Sequence, residues 1–113
     1  MKRWEWISAD DICLAHDEQI ARYGGLPGIR TLGSVEMAAE RPKNMAAYTD
    51  GADIARLSAA YAFGIARGHP FADGNKRTAW AVTRLFLLMN GRRLAEGDIT
   101  EVDFAAWLRD RLD

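Results

Sequence analysis

A single cysteine, Cys13, stands among 113 residues, so no disulfide can form within the chain and a reducing compartment is the expected setting. For such a residue, packing on a helix is a commoner role than that of a reactive thiol. Neither sign of charge is in excess: 15 Lys and Arg stand against 16 Asp and Glu, a formal net charge of −1. That balance excludes a general nucleic-acid binder, which carries a basic surplus. Long apolar runs are missing as well. The basic pair Lys2-Arg3 leads into Trp4-Glu5-Trp6, not into the apolar core of a secretory signal. The most apolar stretch, 79–89, is short and carries Thr83 and Arg84, which makes it a buried helix rather than a membrane span. Cytoplasmic residence is the expectation. No internal repeat, low-complexity tract or Pro/Gly/Ser-rich linker divides the sequence. The phosphate-binding patterns Gly-x-x-x-x-Gly-Lys-Ser/Thr and Gly-x-Gly-x-x-Gly are both absent.

What is present is a helical pattern. Hydrophobic residues make up 49% and charged residues 27%, the balance of a folded domain rather than a disordered one. The length suits one domain over 1–113 with a single modest core. Ser8 and Asp11 have the spacing of a capping box, and Ile12, His16, Ile20 and Tyr23 then recur at helical intervals until Gly24-Gly25. Three glycines and a proline within 24–28 make a loop, expected to continue through Gly33. Ser34 is placed to cap a short helix that closes before Pro42, because proline disfavours a helical residue ahead of it.

A long helix fits 53–67, with Ile54, Leu57, Ser58, Tyr61 and Ile65 on one face and Gly68 as its stop. The helix over 75–90 is apolar nearly all round, through Ala79, Trp80, Val82, Leu85, Phe86, Leu88 and Met89, as suits the centre of a bundle. Asn90-Gly91 ends it. Thr100 with Asp103 opens a last amphipathic helix through Phe104, Trp107 and Leu108. Trp4 and Trp6 alternate in the manner of a short extended segment. The fold class is all-α: a compact single-domain helical bundle with a central buried helix after the loop.

That loop, residues 69–78, reads His-Pro-Phe-Ala-Asp-Gly-Asn-Lys-Arg-Thr. The first N–H groups of a helix have no partner within it, and the helix dipole adds positive potential there. Gly74 permits a tight turn and a close approach of phosphate to backbone. Lys76 and Arg77 add full charges, lysine as a movable point charge and arginine as a planar fork. Asp73 suits a hard cation such as Mg²⁺, which takes one or two carboxylates together with substrate phosphates. An imidazole such as that of His69 can be neutral near pH 7 and accept a hydroxyl proton. Phe71 can pin the loop to the core. Each part also has a plainer role: a structural histidine before proline, an aspartate N-cap, a solvated Lys-Arg pair. Their occurrence in order at one helix start favours the joint reading, because these are the parts that phosphoryl chemistry needs.

The run His69-Pro70-Phe71-Ala72-Asp73-Gly74-Asn75-Lys76-Arg77 resembles the signature of the Fic/Doc superfamily, and more closely that of its Doc (death on curing) toxin branch. The wider Fic pattern is His-Pro-Phe-x-Asp/Glu/Asn-Gly-Asn-Gly-Arg-x-x-Arg. His16-Asp17, the segment Arg22-Tyr23-Gly24-Gly25-Leu26-Pro27-Gly28 and Ala66-Arg67-Gly68 also resemble the Doc branch, so the likeness covers most of the chain. The resemblance implies the all-α Fic fold. Fic proteins transfer AMP from ATP to a target hydroxyl, whereas Doc toxins bind ATP reversed and move its γ-phosphate to a threonine of elongation factor Tu, which stops translation. By motif position, His69 is then the general base and Asp73 holds Mg²⁺ or helps place the acceptor. Gly74, Asn75, Lys76 and Arg77 hold the ATP phosphates. The stretch 28–34 falls where the family has a flap that positions the target.

Two departures from the wider pattern bear on the reaction. Lys76 replaces a glycine that leaves room for phosphates against the backbone, and Trp80 replaces a second phosphate fork. Both disfavour AMP transfer and favour phosphotransfer. The restraining pattern Ser/Thr-x-x-x-Glu of many Fic enzymes is absent at Ser8, Thr31, Ser34, Thr49, Ser58, Thr78, Thr83 and Thr100. Restraint is therefore expected from another chain, a Phd-like antitoxin whose tail folds as a helix on an apolar groove. Trp4, Trp6 and Trp107 are candidate walls of that groove, with core packing their commoner role. The alternatives are a Fic-type AMP transferase and a non-enzymatic helical binding module. A metal-dependent phosphohydrolase built on His16-Asp17 is disfavoured because the chain has only two histidines.

Overall fold

Ser8 opens the first helix with a reciprocal cap: its hydroxyl accepts from Asp11 N–H at 3.1 Å, and Asp11 Oδ2 accepts from Ser8 N–H at 3.1 Å. This helix, α1, spans Ala9–Tyr23 and buries Ile12 and His16. The computed structural model describes residues 4–90. Within them lie three further helices, α2 (Leu32–Tyr48), α3 (Ile54–Gly68) and α4 (Asn75–Met89). The all-α reading holds. Among the described residues no helix is long and apolar enough to cross a membrane.

The helix α2 differs most from expectation. It starts at Leu32 behind an extended Thr31 rather than at Ser34, so Gly33 is helical and not loop. It also runs through Pro42 instead of closing before it. Proline removes one N–H and crowds the carbonyl four residues back, but burial outweighs that cost here. Val35, Ala38, Ala39 and Pro42 are buried on one face, and Met45 and Ala46, beyond the proline, still pack on the core. Ending the helix at Arg41 would forfeit those contacts. A small residue makes the α2–α3 approach close: a Cβ on Gly64 would lie 2.9 Å from the Ala38 Cα.

The helix α3 lies between α2 and α4, and α4 also packs on α1. Asp53 caps α3, accepting from Arg56 N–H at 2.9 Å. Leu57, Ser58, Tyr61 and Ile65 are fully buried along the expected face. In α4, Thr78, Ala79, Val82, Thr83, Phe86 and Leu87 are buried. Its apolar surface is not covered all round, since Leu85, Leu88 and Met89 are exposed. Asn90 caps α4 and pairs its side-chain amide with the Glu5 backbone in both directions, at 2.9 and 3.1 Å.

Trp4 and Trp6 form no strand. They stack on Phe86 with ring centroids 6.1 and 5.9 Å apart, which is the packing role. The Tyr61 hydroxyl ties the same segment down, accepting from Ile7 N–H at 2.8 Å and donating to Ile7 O at 3.3 Å. Burial is the chief cause that pushes this phenol up to about 12. Cys13 is half-buried, its thiol pushed up by burial and by the Asp17 and Asp10 carboxylates, as suits packing rather than reactivity. The helix expected from Thr100 through Phe104, Trp107 and Leu108 lies outside the described residues, as does Gly91.

Candidate functional site

The 69–77 segment begins where α3 stops. His69, not Gly68, takes the left-handed cap, at φ 45° and ψ 54°. It is the one non-glycine residue with positive φ among the described residues. Glycine is the usual occupant of such a cap, though histidine is enriched among the exceptions, and Pro70 behind it prevents the helix from continuing. The result is an exposed imidazole on a constrained backbone at a helix end. A sparsely populated backbone conformation of this kind is common at functional positions.

From His69 the chain is held at each step. Pro70 O accepts from Arg30 N–H at 2.7 Å and from Thr31 N–H at 3.1 Å, and Ala72 N–H donates to Gly28 O at 3.1 Å. Ile29 and Phe71 face each other across an antiparallel bridge. The 28–31 stretch of the expected flap is thus bonded directly to the loop, while its last residues, Leu32, Gly33 and Ser34, belong to α2. Phe71 is buried and does pin the loop.

The Asn75 side chain is bonded to the Phe71 backbone. Its side-chain oxygen accepts from Phe71 N–H at 3.1 Å, and its amide donates to Phe71 O at 3.0 Å. The side chain closes the turn, and the Asn75 backbone N–H lies in the first turn of α4. Gly74 is the N-cap of α4 at φ 74°, and no side chain caps the helix. The first intrahelical bond runs from Thr78 N–H to Gly74 O, so the N–H groups of 75–77 precede the helical ladder. That is an anion-binding arrangement.

Asp73 does not cap α4. Its Oδ1 accepts from Gly74 N–H at 2.8 Å and its Oδ2 from Leu26 N–H at 3.1 Å. The Leu26 bond is the first cause, and the Gly74 bond the second, that hold this carboxyl below the usual carboxylate range; Arg77 and His16 add to them. Arg77 donates from Nη2 to Gly24 O at 3.0 Å. Lys76 is exposed. Trp80, where the wider pattern has an arginine, packs against the core.

The 24–26 turn therefore adjoins Asp73 and Arg77, although the sequence marks it only as a glycine-rich loop of Doc-like pattern with no role assigned. Gly25 sits at φ 120°, and a Cβ there would fall 2.7 Å from Asp73 Oδ2 and 3.1 Å from Arg77 Nη2. The glycine is needed both for its conformation and for space. A groove of about 480 Å³ between α2 and α3 is lined by Gly68, the neighbour of His69, but by none of 73–77. It is separate from the loop.

Among the described residues no cluster of three or more His, Cys, Asp or Glu could hold a metal by itself. Asp73 can still join a Mg²⁺ site, because that ion retains waters and takes few carboxylates. Each Asp73 oxygen also keeps lone-pair capacity beyond its backbone bond.

The sequence has relatives. A protein kinase doc of Escherichia phage P1 is 44% identical over 85 residues, covering 75% of this chain and 68% of that protein. A toxin Doc of Mycolicibacterium smegmatis is 37% identical over 95 residues, covering 80% of this chain and 68% of that one. The family described as Fic/DOC matches residues 6–87, which takes in α1, the glycine turn, the 28–31 stretch and nearly all of α4. This chain belongs to the Fic/DOC family, in its Doc branch.

Proposed function

We propose that this protein is a toxin that transfers the γ-phosphate of ATP to a threonine hydroxyl of elongation factor Tu and so blocks translation. The observation that carries the proposal is the pairing, at the two ends of one braced loop, of an exposed imidazole with an uncapped helix N-terminus flanked by Lys76 and Arg77. The threonine oxygen forms a bond to the γ-phosphorus as the bond to the bridging oxygen breaks. Its proton passes to His69, and ADP leaves. The backbone N–H groups of 75–77 and the Lys76 and Arg77 side chains hold phosphate oxygens, where preorganised donors lower the barrier most. Mg²⁺, when bound by Asp73 with the phosphates, supplies neutralising charge.

Packing of Trp80 against the core supports phosphotransfer over AMP transfer, since no second fork is offered at that turn of α4. The similarity to relatives named as a protein kinase and as a toxin supports the same reading. A Phd-like antitoxin is the proposed partner in the cell. Intact-mass analysis of purified elongation factor Tu after incubation with this protein and MgATP tests the reaction. A gain of one phosphoryl group per molecule is expected. A gain of one AMP group, or no gain, would overturn it.

A further inference from the structure

His16 has no part in the transfer described above, yet it is a buried ionisable side chain bonded to the loop that carries that chemistry. It lies on α1, 1% exposed, with Nε2 2.8 Å from the carbonyl oxygen of Asp73. A carbonyl can only accept, so Nε2 carries the proton. The ring is stacked on Phe71, with centroids 3.8 Å apart and planes 3° from parallel. Its other nitrogen is 3.8 Å from Asp17 Oδ1, beyond hydrogen-bond length. Burying an imidazole among apolar neighbours is costly unless its N–H is used. Here it is used on the residue whose carboxylate holds Leu26 and Gly74.

Residues 70–73 have no helix or sheet to satisfy their backbone, and each is held from elsewhere. Pro70 is held by Arg30 and Thr31, Phe71 by Asn75, and Ala72 by Gly28. At Asp73 the holder is His16. We infer that His16 is a positioning residue: its Nε2–H fixes the Asp73 peptide and thereby the aim of the Asp73 carboxylate and the entry into α4. This inference rests on the proposed phosphotransfer for its kinetic consequence, but not for its structural one.

Two variants separate positioning from packing. His16→Phe keeps a flat ring against Phe71 and deletes the donor, whereas His16→Gln carries an amide N–H at nearly the reach of Nε2. Removing an outer support of this kind lowers activity roughly 10–100-fold. For His16→Phe the expected result, per folded molecule, is a loss of that size in kcat and a higher MgATP requirement. The KM for the protein target should be unchanged, and His16→Gln should recover most of the loss. A packing role alone would lower stability in both variants and leave kcat per folded molecule at the wild-type value, which would overturn the inference.

Hydrogen exchange supplies the arm that needs no activity. Exchange at the Leu26 and Gly74 amides should quicken in His16→Phe and slow again in His16→Gln, with α3 amides unaffected. Nitrogen NMR of the wild-type protein should show the Nε2–H tautomer. An Nδ1–H tautomer, or unaltered Leu26 and Gly74 exchange in a folded His16→Phe, would refute the brace. Should wild-type protein transfer no phosphate while the exchange pattern holds, the reaction fails and the brace stands.

Discussion

Asp73 has both carboxylate oxygens on backbone N–H groups, from Leu26 and Gly74, and those bonds favour the charged form. A carboxyl whose folded pKa lies below its unfolded value binds fewer protons when folded, so it contributes stability above the unfolded value, near 4. That contribution disappears as pH falls through the lower, folded value. Asp73→Asn should therefore reduce stability more at pH 7 than at pH 3, as measured by the difference in urea midpoint from wild type at each pH. An equal difference at both would mean that the carboxylate charge plays no part. At this scale the sequence was informative where chemistry is contiguous: His69, Asp73, Lys76 and Arg77 stand in one run and are recognisable by type. It was less so for Asn75, because nothing in a linear motif says that the side chain is already bonded to Phe71. The contact between His16 and Asp73 joins positions 57 apart and follows only from the packing of α1 on α4.

The four helices of the described residues differ in how their ends are held, and that difference can be measured. Ser8 and Asp53 bond the first turns of α1 and α3, while Thr31 makes no side-chain cap for α2. Loss of a bonded cap costs about 1 kcal/mol. Ser8→Ala should lower unfolding free energy by about that amount, and Thr31→Ala by much less; equal losses would contradict the assignment. Three of these helices were readable from caps and periodicity, because Ser8, Gly24 and Asn90 act locally and the apolar face of α3 recurs at helical spacing. The fourth, α2, was misread at both ends. Its start has no capping side chain to announce it, and its passage through Pro42 is sustained by burial of Val35, Ala38, Ala39, Met45 and Ala46 against the rest of the fold. Local rules of proline do not register that tertiary gain.

Across the whole molecule, the bundle brings three chain reversals to one end: the end of α3 with His69, the start of α4 with Gly74, and the α1–α2 connection with Gly25 and the 28–31 stretch. The hydrogen bonds among them make a cross-bonded frame around the loop. Phosphoryl transfer relies mainly on such positioning and on fixed charge. The central claim is that the imidazole at the end of α3 takes the acceptor proton. Transfer of label from γ-labelled ATP to elongation factor Tu by His69→Ala, compared with wild type at matched folded concentration, tests it most directly. The expected result is a rate lowered roughly 10²–10⁴-fold with thermal stability little altered. A His69→Ala protein that labels the factor at the wild-type rate would contradict it.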